Sequence, residues 1–69
     1  MGKVRLKLDQ RLKSMNITRY RLSQMTNIKF QTIDRYYKNQ VVRYDGYILA
    51  QICTHLECDI GDIIEFIPE

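Results

Sequence analysis

The 69-residue sequence predicts a single small all-α domain of five short helices, residues 1–69, and three observations predict it. Apolar residues recur at helical spacing through most of the chain, and residues suited to begin or end a helix stand between these stretches. The one run that looks like a strand, residues 40–44, is too short to make a sheet by itself.

The first two predicted helices are short and amphipathic. Four apolar residues fall on one stripe of a first helix that ends near Asn16: Val4, Leu8, Leu12 and Met15. Thr18 then offers a capping oxygen to a second helix over residues 19–25, with Leu22 and Met25 pointing inward. Asn27 tolerates the left-handed conformation in which helices commonly end, so it predicts a tight turn.

The remaining chain predicts three further helices. A third helix runs from Lys29 to about Lys38, with Ile33 and Tyr36 inward, and Asn39 ends it. Asp45 caps a fourth helix with a wide apolar face formed by Ile48, Leu49, Ile52, Cys53 and Leu56. Asp59 caps a fifth helix that stops at Pro68 and is apolar almost all round, through Ile63, Ile64, Phe66 and Ile67.

Charge is divided between the two parts of the chain. Residues 1–43 carry all eleven Lys and Arg with only two acids, a net charge of +9, whereas residues 44–69 carry six acids and no Lys or Arg, a net charge of −6. This asymmetry favours a polyanion-binding face on the first part, with nucleic acid as the leading partner. The alternative is that the two parts simply complement each other within the fold.

Several classes of function are not expected. The longest nearly apolar stretch falls far short of the roughly 20 residues of a membrane span, and the first residues lack a signal-peptide core, so a cytoplasmic protein without membrane contact is expected. No nucleophile-and-base pair or phosphate-binding loop indicates an enzyme, and no cofactor or small-molecule ligand is evident. Cys53 and His55, at i and i+2 of a helix, point about 200° apart, which argues against a zinc site with Cys58. The acidic neighbours of Cys58 disfavour an activated thiolate, so redox sensing is not expected.

Residues 18–38 have the spacing of a helix-turn-helix, with the turn around Asn27. Residues 16–28 and 31–36 resemble the helix-turn-helix of the Xre family, which includes phage repressors and Cro proteins, and residues 45–53 and 56–66 are similar to the closing helices of its small members. The resemblance implies a lambda-repressor-like fold with the helix-turn-helix at helices 2 and 3. It also implies a bacterial or phage regulator, nucleoid-associated and most often a repressor, that reads double-stranded DNA with its third helix.

The resemblance places base contacts on the first turns of the third helix, at Lys29, Phe30, Gln31, Asp34 and Arg35. Gln31 suits adenine and Arg35 suits guanine, while Lys29 reaches a guanine or a phosphate. Phe30 either meets a thymine methyl or is covered by a neighbouring subunit. Asp34 either accepts from cytosine or pairs with Lys38 at i+4.

Phosphate contacts are expected at the start of the second helix and in the loop after the third: Thr18, Arg19, Lys38, Asn39, Gln40 and Arg43. Two positions depart from the family pattern. Asn27 stands where Gly is frequent, and Lys29 stands where a capping Ser or Thr is usual, although Lys cannot accept the capping hydrogen bond.

Family members commonly dimerise, and six residues are candidates for a homodimer contact: Tyr44, Tyr47, Ile63, Ile64, Phe66 and Ile67. Among the tyrosines, Tyr36 is expected in the core, Tyr44 and Tyr47 between the third and fourth helices, and only Tyr37 free. An alternative function is a protein-interaction module of a mobile element, antitoxin-like or anti-defence, with the same fold; the acidic tail and Phe30 favour it. Single-strand or RNA binding through aromatic side chains is a third possibility.

Overall fold

A computed structural model describes residues 1–69 as a mostly helical fold closed by a small sheet. Its elements in chain order are β1 (Lys3–Leu6), α1 (Leu8–Met15), α2 (Arg19–Thr26), α3 (Phe30–Tyr37), α4 (Gly46–Leu56), a 3₁₀ turn (Ile60–Asp62) and β2 (Ile64–Ile67). The all-α prediction is therefore right for the four central helices and wrong at both ends of the chain.

The two ends form an antiparallel two-stranded sheet, with a register that runs from Lys3 opposite Ile67 to Leu6 opposite Ile64. The predicted stripe of the first helix breaks here, because Val4 lies in β1 and is 46% exposed. Successive strand residues point to opposite faces, so Val4 and Leu6 share one face while Lys3 and Arg5 take the other. The two strands are about sixty residues apart in the chain. Because local periodicity depends only on neighbouring residues, it does not predict such a pairing.

The predicted fifth helix is a single 3₁₀ turn. The backbone N–H of Asp59 donates to the Asp62 carboxylate over 2.9 Å, which closes the turn as expected of a cap. The chain then becomes extended after Ile63, whose side chain is fully buried and whose carbonyl accepts a hydrogen bond from the backbone N–H of Lys7 over 2.7 Å. The run of apolar residues that predicted a buried fifth helix therefore has another origin. It consists of one buried residue, Ile63, followed by a strand.

The predicted caps of α2 and α4 and the predicted ends of the first three helices are confirmed, whereas α1 begins at Leu8 and does not include Val4. The Thr18 hydroxyl accepts from the N–H of Arg21 over 3.0 Å, and the Asp45 carboxylate accepts from the N–H groups of Tyr47 and Ile48. Four non-glycine residues adopt positive φ at or just beyond a helix end: Asn16, Asn27, Asn39 and Glu57. The three asparagines are expected at such positions, because Asn tolerates this conformation better than most residues; Glu57 is not expected there.

The core lies between the four helices and the inner end of the sheet: Leu6, Leu8, Leu12, Leu22, Ile33, Tyr36, Val41, Ile52, Leu56 and Ile63. Met15 and Met25, predicted on inward faces, are exposed and half-buried respectively, and Thr26 is buried in α2. The strand-like run at residues 40–44 forms no strand; its Val41 is drawn into the core as part of a loop. No helix is long and apolar enough to cross a membrane.

Candidate nucleic-acid interface

The helix α3 is held on the core by one face only. Ile33 is fully buried and Tyr36 is 4% exposed, and the Tyr36 hydroxyl accepts a hydrogen bond from the backbone N–H of Asp45 over 3.0 Å. The turn before α3 is fixed because the Ser23 hydroxyl donates to the Ile28 carbonyl over 2.5 Å. These contacts set the angle between α2 and α3 and leave the opposite face of α3 in solvent.

The exposed face of α3 carries the residues predicted to contact bases. Gln31 and Arg35 are both exposed, and since they are four residues apart they lie side by side. Arg35 takes part in none of the four ion pairs of the protein. Lys29 is also exposed, and Phe30 is 43% exposed at the start of the helix.

Asp34 differs from its neighbours because its carboxylate is already engaged. One oxygen lies 2.5 Å from Nη1 of Arg19 and the other lies 3.1 Å from Nζ of Lys38. Hydrogen bonding to Lys38 lowers the pKa of Asp34 most, and desolvation opposes it; hydrogen bonding to Arg19 lowers the pKa further, so that it lies below its usual value of 3.8. These ion pairs favour the predicted pairing of Asp34 with Lys38 over a contact with cytosine. They also add a second cation, Arg19, which the sequence did not predict.

The guanidinium of Arg19 also lies over the ring of Tyr37, with its carbon 4.6 Å from the ring centroid. Tyr37 is half-buried against the core, so the prediction that it is free is wrong. Arg19 is thus held by two contacts, a cation–π contact with the Tyr37 ring and an ion pair with the Asp34 carboxylate. The first residue of α2 is therefore fixed to the middle and the end of α3.

The other predicted phosphate contacts have mixed surroundings. Thr18 uses its oxygen as the cap of α2, which leaves its O–H free to donate outward. The side-chain oxygen of Asn39 accepts a hydrogen bond from the backbone N–H of Leu6 over 3.0 Å, which ties β1 to the end of α3. Gln40 and Arg43 are exposed in the loop that follows.

An open groove of about 330 Å³ lies beside the start of α2. It is lined by Leu12, Lys13, Asn16, Ile17, Thr18, Arg19 and Tyr37. The groove thus brings together the cap of α2, two cations and an aromatic ring, but no acidic side chain. Its two cations and the N-terminus of α2 suit an anionic chain passing across the surface.

The residues proposed for a homodimer contact are not equivalent. Ile63 is fully buried within the chain and is unavailable to a partner, which corrects its place in that set. Tyr44 is half-buried and packs edge-on against Tyr36, with ring centroids 6.4 Å apart. Tyr47 and Phe66 are 67% and 65% exposed, so Tyr47 does not pack between α3 and α4 as predicted.

Ile64 and Ile67 are half-buried in β2. The sequence missed Val4, which lies opposite Phe66 in the sheet and shares its exposed apolar face.

The protein holds no group of three or more His, Cys, Asp or Glu side chains placed to bind a metal ion. Nδ1 of His55 lies 2.9 Å from the carbonyl oxygen of Gln51 on its own helix. That contact draws the ring back along α4.

Comparisons with known proteins agree with this geometry. The family model of the Cro/C1-type HTH DNA-binding domain matches residues 7–69. The fold is similar to the crystal structure of the transcriptional regulator VanUg (Form II), with a TM-score of 0.74, 30% sequence identity, and coverage of 96% of this chain and 89% of that chain. No curated protein sequence matches the chain significantly. The helix-turn-helix of α2 and α3, together with the family match over nearly the whole chain, shows that this protein belongs to the Cro/C1-type HTH DNA-binding domain family.

Proposed function

We propose that this protein is a sequence-specific transcriptional repressor that reads the major groove of double-stranded DNA with α3. The observation that carries the proposal is the pair Gln31 and Arg35, exposed side by side on a helix whose other face is fixed to the core. A major groove admits one α-helix, and side chains at the start of that helix reach the base edges.

The chemistry of the pair fits two different bases. The amide of Gln31 pairs with N6 and N7 of adenine, and the guanidinium of Arg35 pairs with O6 and N7 of guanine. Each such contact is worth about 1–3 kcal/mol of discrimination against the wrong base. Lys29 and Phe30 flank the pair, the first as a donor to guanine or phosphate and the second against a thymine methyl.

Arg19 and Lys38 supply the phosphate contacts in this proposal. Both are held by Asp34 in the free protein, at 2.5 Å and 3.1 Å, so their positions are set before DNA arrives. On DNA binding, Arg19 and Lys38 exchange the Asp34 carboxylate for phosphate oxygens on either side of α3. Further contacts along the DNA backbone come from four residues, Thr18, Asn39, Gln40 and Arg43. The net charge of +9 over residues 1–43 attracts the duplex.

The test of base readout is selection of binding sites from random duplex DNA, followed by fluorescence anisotropy with the selected site. Arg35→Ala should weaken that site by about 5- to 150-fold and relax the preference at one base pair. Lys3→Ala is the matched control, because it removes the same charge from exposed β1, outside the helix-turn-helix. Equal losses in the two variants, with the base preference unchanged, would refute readout by α3.

The test of phosphate anchoring is the salt dependence of the same binding. Lys38→Ala should weaken selected and unrelated duplexes alike and lower the slope of log K against log salt by about one unit. A loss confined to the selected site would place Lys38 among the base contacts instead.

We also propose that the repressor binds inverted half-sites as a homodimer. The exposed apolar pair Val4 and Phe66, with Tyr47 elsewhere on the surface, supports a contact outside the helix-turn-helix. Sedimentation at micromolar concentration should give a dimer for the wild type and a monomer for Phe66→Glu. A wild-type monomer, both free and on DNA, would refute the dimer.

The exposed Phe30 favours a second candidate function, the antitoxin-like or anti-defence interaction module. In that case random-site selection would enrich no duplex sequence, and Phe30→Ala would abolish binding of a protein partner while leaving any weak duplex binding unchanged.

A further inference from the structure

The C-terminal end of α4 brings two cysteines together. Glu57 adopts φ 52°, its N–H donates to the Thr54 carbonyl over 3.4 Å, and the N–H of Cys58 donates to the Cys53 carbonyl over 3.1 Å. These two bonds define a Schellman motif, in which the side chains of the first and last residues, here Cys53 and Cys58, commonly meet.

The end of α1 has the same geometry with different side chains. There Asn16 adopts φ 57°, and the N–H of Ile17 donates to the Leu12 carbonyl over 2.9 Å. Leu12 is in the core and Ile17 packs against it, so the motif closes on an apolar pair. At the end of α4 the corresponding positions hold the only two cysteines of the chain.

Both thiols are free and half-buried, and both residues pack against the core. A disulfide requires Cα atoms about 4.4–6.8 Å apart. The backbone hydrogen bond from Cys58 to Cys53 holds the two residues beside each other, which favours a disulfide between them. We propose that Cys53 and Cys58 form a dithiol site that low-molecular-weight disulfides oxidise to an intramolecular disulfide. The proposal does not depend on DNA binding.

The surroundings set the order of reaction. Burial, followed by the neighbouring Cys58 thiol, raises the pKa of the Cys53 thiol, which disfavours Cys53 in the first attack and assigns that step to Cys58. The expectation that redox chemistry is absent considered Cys58 alone, whereas a pair needs only one thiol to begin the reaction. Three acids lie within four residues of Cys58 in the chain, Glu57, Asp59 and Asp62, and they favour a cationic disulfide such as cystamine.

The reaction is two successive exchanges. The Cys58 thiolate attacks one sulfur of cystamine, the cystamine S–S bond breaks, and one cysteamine leaves as its thiolate. The Cys53 thiolate then attacks the Cys58 sulfur of the mixed disulfide and releases the second cysteamine. The two protons of the protein thiols pass to the two cysteamine thiolates, so the protein loses two electrons and cystamine gains them.

The test is treatment of the full chain with excess cystamine, followed by acid quench, unfolding, alkylation and mass spectrometry. The wild type should lose two hydrogens, retain no cysteamine and take up no alkylating reagent. A glutamate-specific protease cuts after Glu57, between the two cysteines, so the fragment of residues 58–65 should remain attached to the preceding fragment until a reductant is added.

Cys53→Ser and Cys58→Ser are the matched controls. Each retains one thiol and should stop at a stable cysteamine adduct, formed faster on Cys58 than on Cys53. A wild type that keeps a cysteamine adduct, links two chains, or remains fully alkylated would overturn the proposal. The fragment attachment is measured on the wild type alone, so it decides the proposal even if a variant fails to fold.

Discussion

At the scale of single residues, the interface depends on charges that are paired and charges that are not. Asp34 holds Arg19 and Lys38, while Arg35 on the same helix has no partner within the chain. A partnered cation has a fixed position, which suits a phosphate contact, and an unpartnered one is available for a base edge. One acidic side chain thus distinguishes the two cations proposed for phosphate contacts from the one proposed for a base contact.

We expect the stabilising effect of Asp34 to depend on pH. Because the folded pKa of Asp34 lies below 3.8, its stabilising effect is complete above the unfolded value and is lost as pH falls through the folded value. The difference in free energy of unfolding between wild type and Asp34→Asn should therefore shrink as pH falls below about 5. Urea unfolding at a series of pH values measures it.

High salt is the control for this effect. The same difference should shrink at about 1 M salt, where exposed charges are screened over about 3 Å. A difference that stays constant with both pH and salt would show that Asp34 acts through packing rather than through its ion pairs.

At the scale of elements, the helices are short, and their ends contribute a large share of what stabilises them. Three of the four α-helices have eight residues, so capped termini matter more than propensity. Thr18 and Asp45 cap α2 and α4, whereas α3 begins at Lys29 with no side-chain cap. The helix proposed to read DNA thus lacks a side-chain cap at its N-terminus, as α1 does with Lys7.

Removing the cap of α4 should destabilise the protein. Asp45→Ala leaves the N–H groups of Tyr47 and Ile48 without their acceptor and should cost about 1 kcal/mol of unfolding free energy. Asp45→Asn is the matched variant, because Asn caps as well as Asp and lacks the charge. Equal losses in both variants would assign the effect to charge instead of capping.

Supplying a cap to α3 should stabilise it. Lys29 has φ −56° and ψ 139°, an extended conformation compatible with an N-cap. Lys29→Ser should raise the free energy of unfolding by about 0.5–1 kcal/mol, measured by urea unfolding, and Lys29→Ala provides the comparison without a capping oxygen. Ser and Ala variants of identical stability would show that the start of α3 is not limited by capping.

At the scale of the whole molecule, the fold is closed by its two ends. The strands β1 and β2 pair over four residues, and Ile63 enters the core just before β2. The backbone bond from Lys7 to Ile63 continues this closure into the start of α1. The sheet therefore fixes the two chain ends to each other, and the hydrogen bond from Leu6 to Asn39 ties them to the residues that follow α3.

Residues of the C-terminal segment should differ sharply in their contribution to stability. Ile63→Ala should cost about 2–4 kcal/mol, because it removes a fully buried side chain and leaves a cavity. Phe66→Ala, at 65% exposure, should cost much less, and chemical denaturation at low protein concentration measures both. Similar losses in the two variants would mean that Phe66 packs within the monomer and is not the exposed residue that a dimer contact requires.

The sequence by itself determined the four central helices, the caps of α2 and α4, and the exposed face of α3. These depend on local physics: apolar spacing places Ile33 and Tyr36 inward, Thr18 and Asp45 cap the helices that follow them, and asparagine tolerates the left-handed turns.

Only the tertiary structure decided the sheet, the burial of Ile63 and the pairing of Asp34 with Arg19. Val4 fits a helical stripe as well as a strand, and its pairing with Phe66 depends on where the helices bring the two ends. Arg19 and Asp34 lie fifteen residues apart on different helices, so their ion pair follows from the packing angle of α2 and α3 and not from any local pattern. Contacts between distant segments exist only after the core has formed, and local periodicity does not encode them.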